Sequence, residues 1–315
     1  MKIIFEQKKI NNGTVKISLD GGVNYGEYEV AEVVDSGISI PEGQDLSKIK
    51  IKGPANILQN AEVVSSIKVG DIRGIIFPDG VASSSSLYKD LTTVDIKSGI
   101  TTINNFAFKN CASLTNVSIP DTVTSIGQAA FNGCSGLTSI IIPGNVTSIG
   151  NSAFQSCSSL TNINIPDNVT SIGNQAFYNC SNLISINIPS GITSIGENTF
   201  SNCSRLKNIN ISNGVVSIGD QAFLYCSSLT NIEIPNSVTT IGNNAFSRCE
   251  GLKVVTIPDS VTSIGHSVFK YCPKLTTIKY TGTQEQWDAL LESGYGAIWN
   301  SDLEVNVIYN YQEQN

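Results

Sequence analysis

Cysteine is the residue type with the widest chemistry in this sequence, and it recurs at a single spacing. The cysteines lie at equal intervals along the chain, at Cys111, Cys134, Cys157, Cys180, Cys203, Cys226, Cys249 and Cys272. Thiolates act as nucleophiles and metal ligands, and two thiols can form a disulfide. The only histidine is His266, and no pair has C-x-x-C spacing. The sequence therefore predicts neither a metal site nor a cysteine–histidine nucleophile.

Equal spacing also bears on disulfides. If the repeats stack, every thiol has two equivalent neighbours, which is a poor way to specify pairs. Cysteine is small and readily buried, so we expect eight buried, free, structural thiols. His266 takes a repeat position held elsewhere by asparagine, glutamine, aspartate or glutamate, so we expect it on the surface.

The cysteines mark a 23-residue repeat that also fixes the apolar positions. Residues 88–110 are an earlier copy, with Tyr88 in the cysteine position. A leucine follows each opening residue by three positions: Leu91, Leu114, Leu137, Leu160, Leu183, Leu206, Leu229, Leu252 and Leu275. The spacing L-x-x-I-x-I that begins at each leucine is typical of the strand of a leucine-rich repeat, with aliphatic side chains pointing inward.

The other recurring residues have structural interpretations. In residues 157–179, Pro166 cannot donate to a strand ladder and should mark the end of the strand. Gly173, in T-S-I-G, is interpreted as a source of backbone freedom. Phe177 belongs to a series that should stack along the core: Phe108, Phe131, Phe154, Phe177, Phe200, Phe223, Phe246 and Phe269.

The whole pattern, S-x-L-T-x-I-x-I-P-x-x-V-T-S-I-G-x-x-A-F-x-x-C, resembles the BspA-like leucine-rich repeat of bacterial and protist surface proteins. The resemblance covers about residues 75–282. It implies a solenoid that takes part in adhesion to host proteins, other cells or extracellular matrix, without catalysis. It also implies a location at the cell surface or outside the cell.

We therefore predict a mainly β chain of three parts: a small β-rich domain at 1–70, a solenoid of 23-residue repeats at 71–282 and a C-terminal cap at 283–315. In the first part, residues 14–30 predict two strands joined across an Asp-Gly-Gly turn, and further strands are expected at 48–53 and 62–69. We expect these strands to form a sandwich for attachment or docking.

The cap is predicted to contain one short helix. Thr283 and Gln286 have capping-box spacing, and Gly294 should end the helix. One face of this helix carries Trp287, Leu290 and Leu291. A strand-like segment follows at 303–311. We expect Trp287 and Trp299 to cover the apolar end of the last coil, because a solenoid needs caps.

The net charge and the hydropathy of the chain limit the classes of partner that the protein can bind. The net charge is −7, which argues against nucleic acid, and no apolar run approaches the roughly 20 residues of a transmembrane helix. The N-terminal residues lack the apolar core of a signal peptide, so either export does not follow that route or a leader is missing from the sequence. No phosphate loop, metal motif or paired-carboxylate site is present in the sequence, so we predict no cofactor and no enzyme activity.

The outward positions of the repeated strand are the candidate ligand face, because repeat proteins commonly bind there. These positions hold mainly uncharged polar side chains, and the candidate residues are Asn162, Asn164, Asn187, Asn208, Asn210, Asn231 and Glu233. Ile141 and Val254 interrupt the polar columns. The face could bind a protein or glycan through many weak contacts. Alternatively, its asparagines could form a ladder that only stabilises the stack.

The leading functional hypothesis is a non-catalytic binding or adhesion protein that contacts a protein or glycan on a host or cell surface. The alternative is a structural component of a larger assembly, such as a phage particle or appendage, docked through residues 1–70. The lack of a signal peptide favours the alternative, which would place the protein in a virion or the cytoplasm.

Overall fold

The structure is a computed structural model that describes residues 14–18, 25–29, 33–34, 37–38, 92–96, 98–293 and 304–312. Near the N-terminus, β1 (Thr14–Ser18) pairs antiparallel with β2 (Tyr25–Glu29), and β3 (Val33–Val34) pairs antiparallel with β4 (Gly37–Ile38). The two strands predicted within 14–30 are therefore confirmed. The strands expected at 48–53 and 62–69 lie outside the described residues, so the sandwich and the boundary at residue 70 stay predictions.

The repeats form a stacked series of coils, and each coil begins with the predicted L-x-x-I-x-I strand. These first strands are β5 (Thr93–Asp95), β7 (Asn116–Ser118), β9 (Ser139–Ile141), β11 (Asn162–Asn164), β13 (Ser185–Ile188), β15 (Asn208–Ile211), β17 (Asn231–Glu233), β19 (Val254–Ile257) and β21 (Thr277–Tyr280). These strands pair in parallel in three groups, β5 with β7, β9 to β15 and β17 to β21, with equivalent residues of successive repeats opposite each other, such as Ile186 and Ile209. The register of the sheet is therefore the register of the sequence repeat.

A second strand in each coil comes from the T-S-I segment, for which the sequence predicted none. These strands are β6 (Thr102–Ile103), β8 (Ser125–Ile126), β10 (Ser148–Ile149), β12 (Ser171–Ile172), β14 (Ser194–Ile195), β16 (Ser217–Ile218), β18 (Thr240–Ile241) and β20 (Ser263–Ile264). They pair in parallel in two groups, β6 to β12 and β14 to β20, and each residue lies opposite its equivalent in the next repeat. The interruptions in the two sets of strands fall between different coils, so each adjacent pair of coils is joined along at least one ladder.

The core lies between the two ladders and consists of the residues that the repeat predicted. In residues 157–179 the side chains of Leu160, Ile163, Val169 and Phe177 are all buried. The phenylalanine rings of successive coils stack with centroids 5.1–5.8 Å apart and ring planes within 16° of parallel. The predicted aromatic spine is confirmed.

The glycine of T-S-I-G has a different purpose from the predicted one. The φ angle of Gly150 is not in the left-handed region, which Ser152 and Ser156 occupy instead, with φ of 55° and 58°. A Cβ atom built on Gly150 would lie 2.6 Å from the backbone nitrogen of Gln128 in the preceding coil. The repeat therefore needs glycine because two backbones approach closely there, and backbone freedom is not the reason.

The C-terminal cap begins with α1 (Gln284–Ser293), and its capping box is present as predicted. The backbone N–H of Thr283 donates to Gln286 Oε1 at 2.8 Å, and the N–H of Gln286 donates to Thr283 Oγ1 at 3.3 Å. Trp287 and Leu290 are buried, and the Trp287 ring packs 5.1 Å from that of Tyr280. The helix therefore covers the last coil; Gly294 and Trp299 lie outside the described residues.

The strand-like tail also belongs to the cap. Residues Asn306–Ile308 form β22, which pairs in parallel with β21 and so extends the ladder of first strands by one member. Beyond it, the N–H of Tyr311 donates to the carbonyl of Tyr280 at 3.0 Å. The cap thus closes the core with a helix and continues the sheet with a strand.

Candidate functional site

All eight cysteines are buried and free, in the turn that precedes the first strand of each coil. Seven of them donate an S–H hydrogen bond to the carbonyl oxygen of the phenylalanine 26 residues earlier, with sulfur–oxygen distances of 3.0–3.2 Å. Burial raises the pKa of the Cys111 thiol to about 11 and the pKa of Cys157 and Cys203 to about 12. Neutral, buried thiols of this kind link adjacent turns and are poor nucleophiles.

We expect these thiols to stay reduced and unreactive in the folded protein. A thiol reagent added without denaturant should modify few groups, because burial and the raised pKa suppress the thiolate. The same reagent should modify eight groups after denaturation, one for each cysteine in the sequence. Disulfides detected by mass spectrometry of the native protein would overturn this expectation.

His266 is exposed, as expected, and belongs to a column whose structural purpose the sequence did not indicate. Its backbone N–H donates to Asn243 Oδ1 at 3.1 Å, and the N–H of Asn243 donates to Asp220 Oδ1 at 2.7 Å. Asn105, Asn151 and Asn174 accept the equivalent bond from the next coil at 2.7–3.1 Å. We call these side chains, at the position after the T-S-I-G glycine, the Asx column.

The Asx column also explains the glycine. A Cβ atom built on Gly265 would lie 2.7 Å from Asn243 Oδ1, because the amide of the earlier coil reaches across to the backbone at this point. Glycine leaves room for the side chain that holds the next coil. These bonds run from backbone N–H to side-chain oxygen, so they differ from the asparagine ladder that the sequence suggested for the strands.

The seven predicted ligand-face residues all lie on the exposed side of the first strands, which we call the strand face: Asn162, Asn164, Asn187, Asn208, Asn210, Asn231 and Glu233. Pairing places Asn187 directly opposite Asn210, and Asn164 directly opposite Ile141. At the C-terminal end Glu233 lies opposite Thr256, which in turn lies opposite Lys279. These pairings align the strand face from Ile141 to Asn210 and, in a separate group of strands, from Glu233 to Lys279.

Three asparagines of the strand face differ from the other polar columns in how they use their hydrogen bonds, whereas Asn162 and Asn231 each donate to the threonine beside them at 3.5 and 3.4 Å. The hydroxyls of Thr124 and Thr147, on the second ladder, donate to carbonyl oxygens of the preceding coil at 3.1 and 3.2 Å. In contrast, the side chains of Asn164, Asn187 and Asn210 make no hydrogen bond to any residue that the structure describes. Their amide groups face solvent with both donors and acceptors available.

One large apolar side chain stands among these amides. Ile141 is 82% exposed, the highest exposure of any large hydrophobic residue in the described part of the chain. An exposed isoleucine beside polar groups can bury apolar area against a partner without affecting the core. Val254, the other apolar interruption, is half-buried.

The described residues offer no arrangement suited to catalysis by metal. Among them, no three His, Cys, Asp or Glu side chains are grouped so that they could hold a metal ion. No helix in the described ranges has the length and apolar character to cross a membrane.

Comparison with known proteins agrees with this architecture. The family described as the BspA type leucine rich repeat region matches residues 82–207 and 170–290, in six copies. A leucine-rich repeat protein from Bacteroides ovatus ATCC 8483 is 27% identical, with 72% of this chain and 71% of that one covered and a TM-score of 0.51. Comparison with curated proteins gives no match.

A leucine rich cell surface protein from Faecalibacterium prausnitzii A2-165 is 34% identical, with 64% of this chain covered and a TM-score of 0.46. The chain spans 63% of the length of that protein. The family match extends over most of the coils, and the parallel pairing of equivalent residues is the physical form of the repeat. The chain belongs to the BspA-type leucine-rich repeat family.

Proposed function

We propose that this protein is a non-catalytic binding protein of the adhesion type, and that its strand face contacts a protein or glycan at a cell surface. The proposal rests on the unused hydrogen-bonding groups of three asparagine side chains on the strand face. Asn164, Asn187 and Asn210 are exposed and form no hydrogen bond to described residues, whereas the Asx column and the threonines of the second ladder bond to neighbouring coils. Polar groups not used by the fold are suited to a ligand.

The geometry favours binding through many weak contacts. Parallel pairing sets equivalent side chains about 4.8 Å apart along the stack, so a ligand can meet several amides at once. Ile141 adds an apolar contact at the N-terminal side of the amides. Individual exposed hydrogen bonds contribute little, so affinity should depend on the number of coils engaged.

The proposal includes the absence of enzyme activity and a location at the cell surface. The first is supported by the chemistry of the cysteines, which are neutral and bonded to carbonyls, and by the exposed position of His266. The second is supported by the adhesion role associated with the BspA-type family, to which the chain belongs.

The test begins with capture on an array of glycans and matrix proteins, followed by affinity measurements on the captured ligand. The variant Asn187→Arg with Asn210→Glu adds bulk and opposite charges to two adjacent strands, and it should weaken binding at least tenfold. The melting temperature should change little, because both side chains are exposed. The matched control is Ser190→Arg with Asn213→Glu, two exposed positions in the turns that follow the same strands.

Two results would contradict the proposal. If the strand-face variant melts at a lower temperature and its folded fraction binds normally, the asparagines serve only stability. If binding is lost when residues 1–70 are removed and persists in the strand-face variant, the solenoid is a spacer. Recognition, or docking into a larger assembly, would then belong to the N-terminal part.

A further inference from the structure

The residue before each cysteine adopts the left-handed conformation in every described coil, but the type of residue changes along the stack. From the N-terminal end these residues are Asn110, Gly133, Ser156, Asn179, Asn202, Tyr225, Arg248 and Tyr271, with φ between 58° and 76°. Glycine and asparagine adopt this conformation at low cost, whereas large side chains do so at a higher one. The last three coils therefore keep Tyr, Arg and Tyr where smaller residues would fit the backbone better.

These three side chains form one cluster. The Arg248 guanidinium carbon lies 5.1 Å from the ring centre of Tyr225 and 4.4 Å from that of Tyr271. The Lys270 ammonium lies 5.1 Å from the Tyr271 ring centre. The two tyrosines are 39% and 43% exposed, so the rings that hold the guanidinium also face solvent.

The cluster leaves the hydrogen-bonding capacity of Arg248 unused by the described part of the chain. Its guanidinium makes no hydrogen bond or ion pair there, and the backbone is anchored separately by an N–H bond to the Lys270 carbonyl at 2.8 Å. Tyrosine rings flank the guanidinium, and its planar N–H edge is not used by the described residues. A planar edge of this kind matches a carboxylate, which can accept two parallel hydrogen bonds.

The positive charge nearest the cluster is that of Lys270, beside Tyr271. Residues 248–279 contain five basic and two acidic residues, a net charge of +3, and the helix that follows adds Glu285, Asp288 and Glu292. Residues 111–247 contain two basic and five acidic residues, a net charge of −3. The nearest acidic residue in the sequence is Glu250, two positions after Arg248, and it forms no ion pair with Arg248 in the structure.

We propose that Tyr225, Arg248 and Tyr271 form a second binding site, separate from the strand face, for the carboxylate of an acidic sugar in a glycan. The guanidinium edge holds the carboxylate, and the exposed tyrosine rings pack against the C–H faces of the sugar. Lys270 adds positive charge beside the site. The site lies on the turns before the cysteines, so it does not depend on the ligand proposed for the strand face.

The probe is a panel of glycans that contain uronic or sialic acids, each beside a counterpart with its carboxylates reduced to alcohols. We expect the protein to bind members of the acidic series and not their reduced counterparts. The variants Tyr225→Asn, Arg248→Asn and Tyr271→Asn should each weaken binding at least tenfold. All three introduce asparagine, the residue that Asn179 and Asn202 supply at this position, so the fold should be retained.

The control variants are Arg205→Asn, which removes an exposed arginine bonded to Asn182, and the strand-face pair. Neither should change binding to the acidic panel. The proposal is overturned if no acidic glycan binds, or if the reduced counterparts bind equally well. It is also overturned if poly-glutamate binds with the same dependence on all three residues, or if the three variants lower the melting temperature and leave binding unchanged.

Discussion

Removal of residues 283–315 is expected to yield a protein that aggregates and melts at a lower temperature. The deletion takes away α1, whose Trp287 and Leu290 are buried, and β22, which pairs with β21. Loss of a buried tryptophan costs about 3–5 kcal/mol and loss of a buried leucine about 2–5 kcal/mol, so the last coil should lose more than about 5 kcal/mol. Size-exclusion chromatography and thermal melting measure the two effects.

Single substitutions in the full chain distinguish the effect of losing the packing of α1 on the last coil from the effect of losing β22. Trp287→Ala should lower the melting temperature, whereas Asp288→Ala, at the next and exposed position of the same helix, should not. A truncated protein that elutes as the full chain does and melts at the same temperature would mean that 283–315 is an independent appendage.

Gly150→Ala is expected to destabilise the solenoid by about 3 kcal/mol, the upper part of the usual range for an overpacked site. The added methyl carbon would lie 2.6 Å from the Gln128 nitrogen and 2.7 Å from the Gly127 carbonyl carbon. Both are backbone atoms, so relief requires two coils to move apart. Separation would lengthen the ladder hydrogen bonds and the contact between Phe131 and Phe154.

The control for this variant lies in the same repeat. A Cβ atom built on Gly144 would meet nothing within 4 Å, so Gly144→Ala should leave stability within about 1 kcal/mol of the wild type. Urea unfolding of the two variants side by side gives the comparison. Equal stabilities would mean that the coils are not in close contact at Gly150.

The fold was largely predictable because the repeat encodes its own register. When equivalent residues of successive repeats occupy equivalent places, the buried set of Leu160, Ile163 and Phe177 follows from one coil and holds for the others. The capping box was predictable for a related reason, since Thr283 and Gln286 are close together in the sequence. Both kinds of information are local or periodic in the sequence.

Other features depend on distances between coils, which residue types do not reveal. The second strand has only two residues, such as Ser171–Ile172, too few for an alternating pattern to be recognised. The Asx column looked like ordinary surface polarity, because nothing in the sequence shows that Asn243 reaches the next backbone. The one sequence feature that indicated the Asx column was the recurring glycine before it. From the sequence alone, that glycine is explained by backbone freedom.

The position of the candidate ligand face could be predicted from the sequence, but the hydrogen bonding of its asparagine side chains could not. Strand alternation placed Asn164, Asn187 and Asn210 on the exposed side, where the structure has them. Whether they bond to one another could not be read from the sequence, since asparagine columns occur both in ladders and on open surfaces. The Tyr225–Arg248–Tyr271 cluster was missed because its members belong to three different repeats and only stacking unites them.

The separation of about one repeat between bonded partners also affects how the gene can change. The paired strands join a position to its equivalent in the next repeat, as Ser148 joins Ser171, and the cysteine S–H bonds always span 26 residues. Unequal recombination between nearly identical repeats would delete or duplicate whole units and bring equivalent donors and acceptors together again. The reach of the molecule can therefore lengthen or shorten in steps of one coil, while the two ends of the solenoid and its core pattern stay the same.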